Sequence, residues 1–340
     1  MGIHEGSAIG FMLQYEPKMI KTFFSSVILI FLTTVIHIQN VSGSEIDSYN
    51  VRNIQLPDTL AVLNIECNRR IDLVLSYLND KKITNEAALY RHLSWALGGN
   101  VGSKMQFFLE KNSNVAAWSV MKNDSIYKEM NSWTTPALKV WSRLGRIINV
   151  NNVYIGTDKI GHALGQGYSY FKIAYLQNGG ITRALAYGEM TEKTYYGYTS
   201  TGIYSYADLV ANFQGMRFWI HILYKYPDPL DSHAPGPYVA LKDNSWIRLR
   251  NVDWAYYIDP AWDESCNQSI YRDERIAQKI IPRIEDTKER IGRKKFEICK
   301  TAAQKLVERY YPFHEYLFNK DIIYIADYQG AVIRQASGAY

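Results

Sequence analysis

The stretch TDKIGHALGQGYSYFKIAYLQNGG, residues 157–180, decides the fold class. Its apolar residues recur at helical rather than strand spacing, and it stops at Asn178-Gly179-Gly180, where glycine suits the left-handed end of a helix. A second helix follows over roughly Ile181 to Tyr195 and a third opens at Ser205 and runs to about Leu223. The loop Gly197-Tyr198-Thr199-Ser200-Thr201-Gly202 separates them.

Working outward, Leu60, Leu63, Cys67, Ile71, Val74 and Leu78 are spaced by threes and fours, which predicts an amphipathic helix with Asp58 as its N-cap after Pro57. A helix from about Thr84 to Leu97 is stopped by Gly98-Gly99, and shorter helical pieces fill Ser103 to Ile148. Beyond Tyr226 the composition turns to Pro, Asp, Trp and Tyr. Trp246 to Leu249 and Ile322 to Ile325 read as short strands there, and about Asp273 to Arg309 reads as a long polar helix. The expected class is mainly α with minor β segments towards the C-terminus, forming one domain over residues 44–340.

The 340 residues are 47% hydrophobic, enough for a substantial core. Lys and Arg number 38 against 33 Asp and Glu, without the dense basic footprint that a nucleic-acid partner requires. The 27 Tyr against 12 Phe suit wet clefts, sugar faces and membrane interfaces alike. Lys18 and Lys21 precede an apolar run from Phe23 to Ile38 and then Val41-Ser42-Gly43, the order of a cleavable signal segment over residues 1–43. An uncleaved anchor or a buried core helix is the alternative. Residues 1–18 carry Glu5 and Glu16, which points to Met19 as the start. No Cys follows the run at a lipidation position, so the mature chain is expected near Ser44, periplasmic or secreted, soluble or peripherally attached to a membrane. Of Cys67, Cys266 and Cys299, the last two are the favoured disulfide, since Cys266 lies in a polar loop and Cys67 on an apolar helix stripe.

Asp158 and His162 are four apart on one helix, and so are Asp208 and Asn212 on another, with Gly215 further along the same side. Glu189 and Glu192 share a face near the end of the helix between. Gly161 and Gly165 flank the His162 face, and since glycine costs a helix roughly 1 kcal/mol, a close approach of a neighbouring helix or a ligand is expected at both. If the three helices pack together, Asp158, His162, Glu192, Asp208 and Asn212 converge. Asp158, His162, Asp208 and Asn212 then form a ligand set for a divalent metal, and His162, Glu192 and Asp208 a catalytic group for acid and base chemistry. Each also has a purely structural role open to it: Asp158 complements a helix dipole, Ser205-x-x-Asp208 resembles a capping box, and His162 can be a satisfied core histidine.

Asp158-Lys159-Ile160-Gly161-His162, then Glu192, then Ser205-Tyr206-Ala207-Asp208-Leu209-Val210-Ala211-Asn212-Phe213-Gln214-Gly215 resembles the pattern of the VanZ-like and YfiM-like envelope proteins. Those families show D-K-x-x-H, a Glu and S-x-x-D-L-x-x-N-x-x-G in the same order. The resemblance covers about 60 residues, lacks the Arg that VanZ-like proteins usually carry before the final Asp, and implies an envelope location and a site without naming a reaction.

Two other places stand out. Tyr256-Tyr257-Ile258-Asp259-Pro260-Ala261-Trp262-Asp263-Glu264 sets acids beside rings, which either grips a sugar or forms an ordered loop tethered by Trp262. His221, His233 and His314 lack partners at ligand spacing and read as incidental. Three functions compete: a hydrolase of an envelope lipid or glycan, a non-catalytic envelope protein whose cluster cements helices, and a glycosidase using Glu192 with Asp208, whose carboxyls must then stand roughly 5 to 10 Å apart across an open cleft.

Overall fold

A computed structural model describes residues 45–99, 103–130, 144–194, 197–231 and 234–327. The signal segment, the start site and His233 lie outside the described residues. The protein is mainly α with minor β segments.

Helix α1, Leu60–Asp80, buries Leu63, Cys67, Ile71, Val74 and Leu78, the stripe its spacing predicts. Its N-cap is Thr59 rather than Asp58, because the Asp58 carboxylate bridges two segments, accepting from the backbone N–H of Leu60 at 2.9 Å and of Asn151 at 3.0 Å. Helix α2, Glu86–Leu97, is capped by Asn85, and α3, Lys104–Lys111, by Ser103.

Of the helical pieces expected over Ser103 to Ile148, α3 is present and residues 131–143 lie outside the described residues, while Ala117–Trp118 is β1 of an antiparallel sheet with β2, Ile147–Val150, and β3, Val153–Gly156. Asn151 and Asn152 turn the β2–β3 hairpin with φ of 53° and 65°, the left-handed pair that a two-residue hairpin loop needs. Asn-Asn between apolar residues was the available signal.

Thr157 starts α4, in which α-helical Thr157–Gly161 and Gly167–Phe171 alternate with π-helical His162–Gln166 and Lys172–Leu176. Helix α5, Ile181–Lys193, and α6, Tyr206–Leu223, complete the central block, and Ser205 caps α6 by accepting from Asp208 N–H at 3.2 Å. β4, Ile203–Tyr204, leads into α6. Almost every residue of α6 is buried, as for a helix surrounded by others. It crosses α4 at glycines: a Cβ on Gly167 would lie 2.6 Å from the Gly215 Cα, and one on Gly215 would lie 2.0 Å from the Ala163 carbonyl oxygen.

A hairpin of β5, Val239–Lys242, and β6, Ser245–Arg248, turns at Asp243 and Asn244, and β7, Ile270–Tyr271, pairs with β4. The long polar helix is in fact two, α7, Glu274–Ile291, and α8, Glu297–Tyr310. Gly292 at φ 101° ends the first in a conformation that a helix cannot continue. Residues 320–327 are helical, not a strand, and Ile322 and Ala326 are buried one turn apart. Cys266 and Cys299 form the favoured disulfide, and Cys67 is a buried free thiol. Among the described residues no helix is long and apolar enough to cross a membrane.

His221 is not incidental. It is fully buried, with Nε2 2.7 Å from Asp228 and Nδ1 2.6 Å from the Tyr257 hydroxyl, and Arg217 pairs with the same Asp228 at 2.8 Å. That network anchors the end of α6 to the segment after it, with every charge partnered. His314 stacks on Tyr311.

Candidate functional site

The packing of α4 on α6 puts their first turns side by side, and between them lies Lys159, 1% exposed. Its Nζ is 3.0 Å from Asp158 Oδ2, 2.7 Å from Asp208 Oδ1 and 2.6 Å from Glu264 Oε1. Glu264 arrives from the aromatic stretch after α6, with the Ser205 hydroxyl donating to Oε1 at 3.4 Å. Thus the Tyr256–Glu264 stretch presents no acid surface to a sugar. Trp262 is wholly buried, Asp263 pairs with Arg52, Asp259 with Arg309, and Glu264 turns inward to Lys159.

His162 occupies the more open edge of this cluster. Its Nε2 is 3.3 Å from Asp208 Oδ2 and its Nδ1 3.2 Å from Asn212 Oδ1. The expected approach of His162 to Asp208 is therefore present, as is the convergence of Asp158 and Asn212. Asn212 is wholly buried, with the Tyr170 hydroxyl beside its amide in space left by Gly188. Glu192 is 1% exposed and faces the group from α5, accepting from the Ser205 backbone. Glu189 does not join; it pairs with Lys193 at 2.5 Å on the surface. Because Glu192 and Asp208 are both buried, they share no open cleft, and the glycosidase arrangement fails on that ground.

The glycine expectation holds at one position of two. A Cβ on Gly161 would meet Gln106 Oε1 of α3 at 2.6 Å, whereas one on the exposed Gly165 would meet nothing within 4 Å. The π-helical turn beginning at His162 bonds i to i+5, so later residues leave the face that α-helical counting assigns them. Gly167, not Gly165, makes the close approach.

Burial would strip Lys159 of its proton, but Asp158, Asp208 and Glu264 outweigh it and hold the ammonium charged. Burial would likewise raise Asp208, yet His162 and Lys159 keep its carboxyl below the usual range. The other acids move up. Burial, then Asp208 and Glu45, carry Glu192 well above the usual range, and burial raises Asp158 against the pull of Lys159. Burial pushes Glu264 up to about 7 against Lys159, and burial with Glu264 as neighbour pushes Glu45 up to about 8. The cluster thus sets one carboxyl held towards its ionised form against others pushed towards their protonated forms.

Asp158, His162 and Asp208 each offer a ligand atom, all within 4.8 Å of one another. Two features fit a divalent ion. Asp158 Oδ1 is buried with no hydrogen-bond partner, and His162 Nδ1 faces an amide oxygen, the usual partner for the outer N–H of a metal-bound imidazole. The same geometry corrects the expected ligand set: Asn212 lies on the ring nitrogen away from Asp208, so it orients His162 instead of sharing its ion.

Lys159, Glu264 and Glu45 were not anticipated as members. Lys159 was visible inside the D-K-x-x-H pattern and Glu264 ended the acidic aromatic stretch, whereas nothing around Glu45 distinguishes it from a surface acid. Comparison with protein-family models, with curated proteins and with solved structures finds no match to this chain.

Proposed function

We propose that the protein is an exported hydrolase of the cell envelope, acting on an envelope lipid or glycan, with the His162–Asp208 pair as the group that activates water. The observation that carries this reading is the His162–Asp208 pair, 3.3 Å apart at the least buried edge of a cluster whose other carboxyls are driven towards their protonated forms. Titratable groups whose environments push them in opposite directions are what acid–base chemistry requires, and such clusters collect at functional sites. Asp208 and Asn212 hold the imidazole, Lys159 holds Asp208, and burial pushes Glu192 towards its neutral form, which limits the charge buried beside them. Were a divalent ion held by Asp158, Asp208 and His162 instead, His162 would serve as a ligand and the ion would lower the pKa of a bound water. The resemblance to VanZ-like and YfiM-like proteins and the signal-like leader support the envelope location.

The test is to incubate the purified protein with envelope lipids and with cell-wall glycan and to read products by mass spectrometry. Turnover by the wild type that is lost in Asp208→Asn, and lost in His162→Ala with melting temperature nearly kept, is the expected outcome.

A second reading has its own observation: Lys159 is sealed from water with three carboxylate contacts of 3.0 Å or less, a knot that ties α4, α6 and the Glu264 segment together without any reaction. Absence of turnover in the wild type, together with a large fall in melting temperature for His162→Ala, would leave that reading in place.

A further inference from the structure

A groove of about 830 Å³ lies between α1 and α2 and reaches Lys104 of α3. Leu73 and Tyr77 of α1 and Trp95 of α2 line it, exposed by 56%, 45% and 55%. They stand on the outer sides of helices whose inner stripes already fill the core, where a soluble helix ordinarily presents polar residues. The rim is cationic. Arg69 and Arg70 of α1, Arg91 of α2 and Lys104 of α3 stand around it. Glu66 is the acid that pairs there, with Arg69 and with Arg70 at 2.7 Å each. Four cations against one acid leave a local excess of three. The Lys104 ammonium lies over the Trp95 ring, and burial together with Arg70 lowers its affinity for its proton, as expected where cations crowd without an anion between them.

An apolar floor beside a cationic rim, with the volume of a small-molecule site, fits one particular kind of occupant. We infer that this groove binds a single anionic phospholipid, its acyl chain against Leu73, Tyr77 and Trp95 and its phosphate among Arg70, Arg91 and Lys104. Guanidinium groups match phosphate oxygens in fork geometry, and the ring of Trp95 is at home where an acyl chain meets a polar head. An extended acidic peptide fits less well, because side chains line this groove and offer no open strand edge to pair its backbone.

The end of α2, just past the groove-lining Ala96, packs on the turn that follows His162. At the end of α2, a Cβ on Gly98 would lie 3.0 Å from the Leu164 carbonyl oxygen, inside the π-helical turn that begins at His162. Binding in the groove does not depend on the hydrolase reading, since a lipid can be held there whether or not His162 acts on it.

Isothermal titration of the full chain with dioctanoyl phosphatidylglycerol, dioctanoyl phosphatidylcholine and inorganic phosphate, each below any micelle-forming concentration, tests the inference. The anionic lipid should bind at least about tenfold more tightly than the zwitterionic one. Arg91→Glu and Lys104→Glu should each weaken the anionic lipid by about tenfold and the zwitterionic one, whose choline offsets the same phosphate, by less, while Trp95→Ala weakens both. These are surface positions, and circular dichroism of each variant should match the wild type. Equal affinity for the two lipids, no binding by the wild type, charge reversals without effect, or inorganic phosphate binding as tightly as the lipid would each overturn it.

Discussion

Lys159 Nζ lies 2.7 Å from Asp208 Oδ1, joining the first turn of α4 to the first turn of α6 through a contact almost wholly closed to water. Two further carboxylates share the same ammonium, so removing it strands buried anions instead of merely deleting an attraction. Lys159→Met should therefore destabilise the fold by about 3–5 kcal/mol in urea denaturation, the usual result of breaking a buried ion pair from one side. A loss under about 1 kcal/mol would mean that the acids are neutralised by protons and that Lys159 is dispensable.

Glycines at the α4–α6 crossing and Gly165 on the outer face of α4 give opposite expectations. Gly215→Ala, or Gly167→Ala against it, forces backbone apart at the α4–α6 crossing and should lower stability by about 1–3 kcal/mol or more. Gly165→Ala meets open space and should raise stability by up to about 1 kcal/mol through its better helix propensity. Thermal unfolding of the three variants decides it, and a Gly215→Ala protein as stable as the wild type would remove the close-approach argument.

Stability should fall on the alkaline side. Glu264 and Glu45 have folded pKa values raised to about 7 and about 8, so the folded chain holds protons that the unfolded chain has released. The stability this contributes is complete below the ordinary carboxyl range and is lost as pH rises through those values, a decline on the order of 4 kcal/mol between pH 6 and 9 for the two groups together. Asp208 runs the other way: its lowered pKa contributes stability at neutral pH that acid removes. Glu45→Gln has no proton to lose, and its denaturation midpoint should decline less steeply between pH 6 and 9. Parallel declines in variant and wild type would show that Glu45 does not titrate in this window.

If Asp158, His162 and Asp208 hold a divalent ion, Mn²⁺ or Zn²⁺ should bind with one ion per chain in calorimetric titration. Asp208→Asn should abolish that binding, and Asn212→Ala, which removes only the orienting contact on the far side of the imidazole, should weaken it by about 10- to 100-fold. Binding that survives Asp208→Asn would place the ion elsewhere.

How much of this was legible follows from the range of each interaction. The helices of the central block were readable because helical periodicity and glycine stops act over four residues, and the i, i+4 spacing of Asp158 with His162 and of Asp208 with Asn212 carried the approach of His162 to Asp208. The favoured disulfide was likewise found, from the polarity of the segment around Cys266. The strand expected at Ile322 failed because four apolar residues in a row do not distinguish a strand from a buried helix turn.

The sequence by itself determined the helical class, the pairing of polar positions on two helix faces and the cysteines to be joined, since each depends on neighbours along the chain. The tertiary structure alone decided that Lys159 is the centre of the cluster, that Glu264 from a hundred residues away and Glu45 from before α1 complete it, and that Gly167 instead of Gly165 meets Gly215. Those outcomes depend on which faces a π-helical turn rotates together and on how far burial moves a carboxyl's pKa. Neither is set by spacing, because both are properties of the neighbours that packing supplies.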